Sequence, residues 1–210
     1  MNGDLTYLHH RPKFIAWARF SGSVSNDFIQ FEKLNIIVCE QLVAIHELPS
    51  SLKYLYASRC KILQTMPNLS HLFNLENLKV TSNEQLVAIT ELLSCLKLLL
   101  ADSCKSLQVI PKLSHLSQLQ VLSLAKCEQL VALPELPSTF QQFEISKCFS
   151  MQNLQMMPQL SHLSELKYLN ASIYISLQTV PNLSHFSQLE NLDLRYCKAE
   201  VQNNRLCLTI

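Results

Sequence analysis

Two residue series in this chain are spaced regularly enough to do chemistry. Cysteines recur at Cys39, Cys60, Cys104, Cys127, Cys148 and Cys197, and histidines recur in SHL or SHF at His71, His115, His162 and His185. Thiolates and imidazoles are the usual zinc ligands, and paired thiols can form disulfides. The spacing argues against both uses. No C-x-x-C pair occurs, and intervals of 21 and 23 residues belong to a repeat rather than to a metal knuckle. His162 and His185 fall in adjacent repeats and could meet, but two histidines without further ligands make a poor zinc site. The simpler reading is that each copies one structural position.

Other chemistry is limited by counting. Gly3 and Gly22 are the only glycines, so a P-loop, a dinucleotide fingerprint and a G-x-S-x-G elbow are all excluded. HELPS at His46 lacks the second histidine of H-E-x-x-H. Cys207 sits in a short tail with no acid or histidine beside it to activate the thiol. The sequence therefore assigns no catalytic residue, cofactor or metal, and the chain is expected not to be an enzyme.

The elements that position these residues follow from the repeat. EQLVAIHELPS from Glu40, EQLVAITELLS from Glu84 and EQLVALPELPS from Glu128 are near copies 44 residues apart. Within that period lies a finer frame, LxxLxLxx(C/N)xxL, seen in LENLKVTSNEQL, LQVLSLAKCEQL and LENLDLRYCKAE. Marked at Cys39, Cys60, Asn83, Cys104, Cys127, Cys148, Tyr174 and Cys197, eight turns step by 21, 23, 21, 23, 21, 26 and 23 residues. A pair of turns is thus the repeating unit. The step of 26 predicts a bulge near Phe149 to Gln159.

Leucines two apart alternate with the pleat of a strand and point to one side. One turn cannot bury them, but stacked turns pair strand with strand in parallel over a continuous leucine column. The expected fold is an α/β repeat, a leucine-rich-repeat solenoid of horseshoe form with a parallel concave sheet. Its returns carry Pro49, Pro67, Pro111, Pro134, Pro137, Pro158 and Pro181, which predicts an irregular or 3₁₀ convex side. Stretches such as PKLSHLSQLQ could begin one short helix at the serine. A Cys in the bend after the strand would be a small buried filler. Residues 1–30 lack the frame and read as an N-terminal cap or the remnant of an upstream segment; 31–198 hold the eight repeats; 199–210 are a degenerate tail.

Composition sets outer limits. At 48% hydrophobic and 16% charged, the chain should fold. A net charge of +1 offers no field to recruit nucleic acid or an anionic membrane. LLSCLKLLLA, from Leu92, is too short to span a bilayer and contains Lys97, and the start lacks a secretory pattern. A cytoplasmic or nuclear location is expected, with thiols reduced and the triplets at Asn68, Asn170 and Asn182 unglycosylated.

What remains is surface. The strand residues between the leucines should line the concave face. Lys53, Tyr54, Tyr56 and Arg59 stand near one end, and Tyr168, Arg195 and Tyr196 near the other. Tyrosine and arginine are the types enriched at interface hot spots. The middle turns, with Gln120, Ser123, Gln141, Gln142 and Ser146, read as blander.

ELPSSLKYLYASRCKIL, from Glu47, and LSLAKCEQLVALPELPSTF, from Leu122, resemble the C-terminal repeats of plant intracellular immune receptors of the TIR-type nucleotide-binding leucine-rich-repeat class. The likeness covers about residues 31 to 198 and rests on Cys at the Asn position, the ELPSSL return and the alternating turn lengths. It implies a protein-recognition module that senses a pathogen effector or a guarded host protein, or that holds the receptor's own nucleotide-binding domain inactive. The nucleotide-binding and TIR parts are lacking here. The alternatives are a stand-alone repeat scaffold and the substrate-recognition module of a ubiquitin ligase, whose repeats favour Asn where this chain has Cys.

Overall fold

A leucine that points inward once per turn gains about 1.5 to 3 kcal/mol by leaving water, provided that the neighbouring turn covers it. That requirement dictates the architecture. The structure, a computed structural model, describes residues 14–18, 32–45, 48–151, 160, 162–173, 179–180, 186–197 and 200–201. Its strands are β1 (Phe14–Ala18), β2 (Lys33–Ile37), β3 (Tyr54–Ser58), β4 (Asn77–Lys79), β5 (Leu98–Leu100) and β6 (Val121–Ser123). They continue as β7 (Gln142–Glu144), β8 (Tyr168–Asn170), β9 (Thr179–Val180), β10 (Asn191–Asp193) and β11 (Glu200–Val201).

Nine of these form one parallel sheet in chain order, β1 through β8 followed by β10. The molecule is a parallel β-solenoid. Register places Leu34, Leu55, Leu78, Leu99, Leu122, Phe143, Leu169 and Leu192 on one ladder, so the middle leucine of every frame stacks on its equivalent. Phe140 and Phe143 stand where other turns carry leucine, and their rings stack at 5.9 Å within that core.

The frame begins at Phe31, yet the sheet begins at Phe14. β1 pairs in parallel with β2, from Phe14 opposite Lys33 to Ala18 opposite Ile37. Part of the segment expected to cap the array is therefore a sheet strand. At the other end β11 pairs in parallel with β9 in a separate two-stranded sheet. A third set of contacts, parallel bridges joining Ala44, Thr65, Ala88 and Val109, ties the flanks of four successive turns.

The helical part of the expectation is not met where it can be read. In PNLSHLFNL and PKLSHLSQL the backbone makes successive tight turns instead of a helix or 3₁₀ segment. Leu72 donates to Leu69 and Leu75 to Leu72; Leu116 donates to Leu113 and Leu119 to Leu116. One such bond every third residue buries each leucine without the consecutive bonds that propagate a helix. Leu160 has helical backbone, and the residues on either side of it lie outside the described ones. The marker Tyr174, His46, His185, Cys207 and all but the first residues of the expected bulge lie outside the described residues.

Strands β2 to β8 and β10 are each followed by the same bend. Val38, Arg59, Ser82, Ser103, Lys126, Lys147, Ile173 and Tyr196 have φ between 57° and 63°. None is glycine, and for the β-branched Val38 and Ile173 the left-handed conformation is especially costly. A cross-turn bond offsets that cost. The N–H of Arg59 donates to Thr81, that of Ser103 to Ala125 and that of Ile173 to Arg195, always to the residue before the next turn's bend.

Charge alternates down two edges of the stack. Lys53 pairs with Glu32 at 3.2 Å and Lys97 with Glu76 at 3.1 Å. On the far side of the bend Lys61 pairs with Glu40 at 3.1 Å and Lys105 with Glu84 at 3.0 Å. In every pair the lysine lies in the turn after the glutamate, which makes the 44-residue period visible as a surface pattern.

Candidate recognition face

The residues that seemed able to do chemistry are placed in the core or between turns. Cys39, Cys60, Cys104, Cys127 and Cys148 are buried, and Cys197 is half-buried. The thiol of Cys104 donates to the carbonyl of Val80 at 2.9 Å, Cys127 to Ala101 at 3.2 Å, Cys148 to Leu124 at 3.1 Å and Cys197 to Ala171 at 3.1 Å. Each acceptor lies three residues before the equivalent position of the preceding turn. Asn83 does the same job with its amide, donating to Ala57 at 2.6 Å and to Val80 at 2.8 Å. Burial pushes the Cys60 thiol up to about 11 and those of Cys104 and Cys148 up to about 12. These are poor nucleophiles, since the thiolate is the reactive form.

The histidines also tie one turn to the one before. The carbonyl of Leu48 lies 2.8 Å from His71 Nε2, that of Leu92 lies 3.0 Å from His115 Nε2, and that of Leu136 lies 2.9 Å from His162 Nε2. A carbonyl can only accept, so Nε2 carries the proton in each bond.

The exposed face of the sheet is ordered by register. One row runs Asn35, Tyr56, Lys79, Leu100, Ser123, Glu144, Asn170 and Asp193. The row beside it runs Lys33, Tyr54, Asn77, Leu98, Val121, Gln142, Tyr168 and Asn191. Neighbouring strands sit about 4.8 Å apart, so each row samples the face at that interval.

At the β3 end the sequence-predicted tyrosines are together. The rings of Tyr54 and Tyr56 meet edge to face at 6.5 Å. Tyr56 has Lys33 Nζ 5.1 Å and Lys79 Nζ 4.9 Å from its ring centre, so it stands between two ammonium groups. Lys53 is engaged with Glu32. Arg59 is exposed but occupies the left-handed bend, one position beyond the strand.

The second predicted group is not joined to the first. Tyr168 is half-buried on β8, five strands from Tyr54 and thus roughly 24 Å away. Arg195 is held by Asp193, with Nε 3.0 Å from Oδ1 and Nη2 2.7 Å from Oδ2. This fork keeps the Asp193 carboxyl below its usual range. Tyr196 is exposed at the last left-handed bend.

The middle of the face, bland in sequence, carries what the sequence reading passed over. Asp102 Oδ1 accepts from the Ser123 hydroxyl and from the Ala125 N–H. Glu144 Oε1 accepts from the Ser146 hydroxyl and from the Asn170 amide, each at 3.3 Å. Burial, and then the charge of Asp102, raise the Glu144 carboxyl above its usual range. Among the described residues neither Asp102 nor Glu144 has a cationic side chain within ion-pairing distance. Reading the sequence down columns spaced by 21 and 23 would have found them.

Compared with known proteins, the chain matches no family model and no curated sequence. Among the described residues no helix is long and apolar enough to cross a membrane.

Proposed function

We propose that the chain is a protein-recognition module of leucine-rich-repeat type, serving as the sensor and autoinhibitory repeat region of a plant intracellular immune receptor. The observation that carries recognition is the exposed sheet face. Its aromatic and charged residues, above all Tyr54, Tyr56 and Lys79, are not consumed by the leucine core. The LxxLxLxx frame, with one parallel strand per turn, supports the repeat type. The ELPSSL return and the Cys ladder support the receptor class by resemblance. The reading gives the chain no catalytic role and no cofactor, and looks for its partner among effectors, guarded host proteins or the receptor's own nucleotide-binding domain, in cytoplasm or nucleus.

The test begins with the full transcript through this locus. An in-frame upstream G-x-x-x-x-G-K-[ST] segment and TIR-like sequence would support the receptor reading, and their absence would replace it with a scaffold or adaptor. Co-expression with that nucleotide-binding segment should then give a complex. Tyr56→Ala should lose it while remaining folded. A complex unchanged by Tyr56→Ala would remove the sheet face from recognition.

A further inference from the structure

The exposed face changes character from one end to the other. On β3 and β4 it presents Tyr56 flanked by ammonium groups, with Lys79 next in the row. On β5 and β6 it presents half-buried aliphatic side chains, Leu100 and Val121. Beyond them lies Glu144 on β7, held by hydroxyl and amide donors rather than by a cation, while Asp102 sits level with Leu100, two residues further along the same turn. A cation, an apolar saddle and a carboxylate follow one another along a straight path across the strands.

The lengths match an extended polypeptide. Lys79 and Glu144 are three strands apart, or about 14 Å. A strand rises about 3.3 Å per residue and points alternate side chains to one face, so residues i, i+2 and i+4 span about 13 Å on one side. Three side chains of such a segment would fall on the cation, the saddle and the Glu144 carboxylate in turn.

We infer that this face takes an extended segment of the pattern acidic-x-apolar-x-basic from a protein partner, its acidic side chain at Lys79 and Tyr56, its apolar side chain on Leu100 and Val121, and its basic side chain at Glu144. The inference rests on the protein-recognition reading above and adds the chemistry of the partner. Charge complementarity selects the occupant. An all-acidic segment would set like charges against Glu144, and an all-basic one would set them against Lys79. The raised carboxyl of Glu144 is consistent with this, because an incoming cation relieves a charge that is now only partly solvated.

Three labelled, end-capped peptides test it on the full chain: Thr-Glu-Thr-Leu-Thr-Lys-Thr, the same peptide with Glu at both charged positions, and the same with Lys at both. The mixed peptide should bind about tenfold more tightly than either other. Glu144→Lys should shift the preference to the double-Glu peptide, and Lys79→Glu to the double-Lys peptide, with both variants still folded by circular dichroism. Should a reversal variant fold poorly, Glu144→Gln and Lys79→Met should each erase the preference instead. Equal binding of the three peptides, no binding of any, or a preference unmoved by the variants would overturn the proposal. A partner that binds in a Tyr56-dependent manner but ignores Glu144→Lys would leave recognition standing and remove only this polarity.

Discussion

Asn83 Oδ1 accepts the backbone N–H of Cys60 at 2.8 Å, across the boundary between one turn and the next. The same side chain donates to Ala57 and Val80, so one buried amide serves three backbone groups in two turns. A cysteine thiol at this position donates to the preceding turn, and at Cys60 and Cys148 also to the carbonyl two residues before it, but it has no amide oxygen to accept as Asn83 Oδ1 does. Asn83→Ala should cost about 2 to 4 kcal/mol, because buried groups lose their partners. Asn83→Cys should cost about half as much. Urea unfolding of both variants measures the difference, and equal losses would mean that the amide's extra bonds contribute nothing.

Alkali should unfold the protein through its thiols. A cysteine ordinarily titrates near 9.0, and Cys60, Cys104 and Cys148 are raised to between about 11 and about 12 when folded. Below pH 9 both states keep the proton and these groups confer no pH dependence. From there to the folded values only the unfolded chain releases protons, so stability falls as pH rises. Urea midpoints should be flat from pH 7 to 8 and drop by pH 10. The drop should be shallower in the Cys104→Ala, Cys148→Ala double variant; an identical slope would assign it to other groups.

Position in the frame should separate core from surface. Leu122 is buried and stacked between Leu99 and Phe143, so Leu122→Ala should cost about 2 to 5 kcal/mol. Arg59 is exposed, and Arg59→Ala should stay within about 0.5 kcal/mol. A neutral Leu122→Ala would contradict the stacked ladder.

Glu144 should be unfavourable for stability where it serves binding. Its raised carboxyl means that the ionised form is disfavoured by folding, so its contribution is intact at acid pH and declines as pH rises through the carboxylate range. Glu144→Gln should therefore be slightly more stable than the parent at pH 7 and equal to it near pH 3. Binding of the mixed peptide should weaken at the same time. A destabilised Glu144→Gln would show that the charge itself supports the fold.

The leucine ladder was legible because its signal is local: Leu78, Leu99 and Leu122 each sit in an LxL alternation that any window shows. The cross-turn features were not. Glu76 and Lys97, like Asp102 and Ser123, are 21 residues apart and meet only once register is known. The left-handed bend carries Val, Arg, Lys, Ile and Tyr as well as Ser, and all but Ser give no turn signal, because the bond to the next turn enforces it. β1 was missed because its FIAWA segment has no frame to match, although its backbone pairs with β2. Of the candidate face, the paired tyrosines were found by residue type, whereas Glu144 needed its neighbours in three dimensions.

The alternation of glutamate and lysine along the edges governs how this array could change length. Excising one turn would bring Glu32 beside Glu76 and Glu40 beside Glu84, setting like charges opposite each other at both edges. Excising two would bring Glu32 beside Lys97 and Glu40 beside Lys105, restoring both contacts and leaving the leucine column unbroken. Within these four turns, loss of a 44-residue block therefore keeps the alternation of charge that loss of a single inner turn breaks.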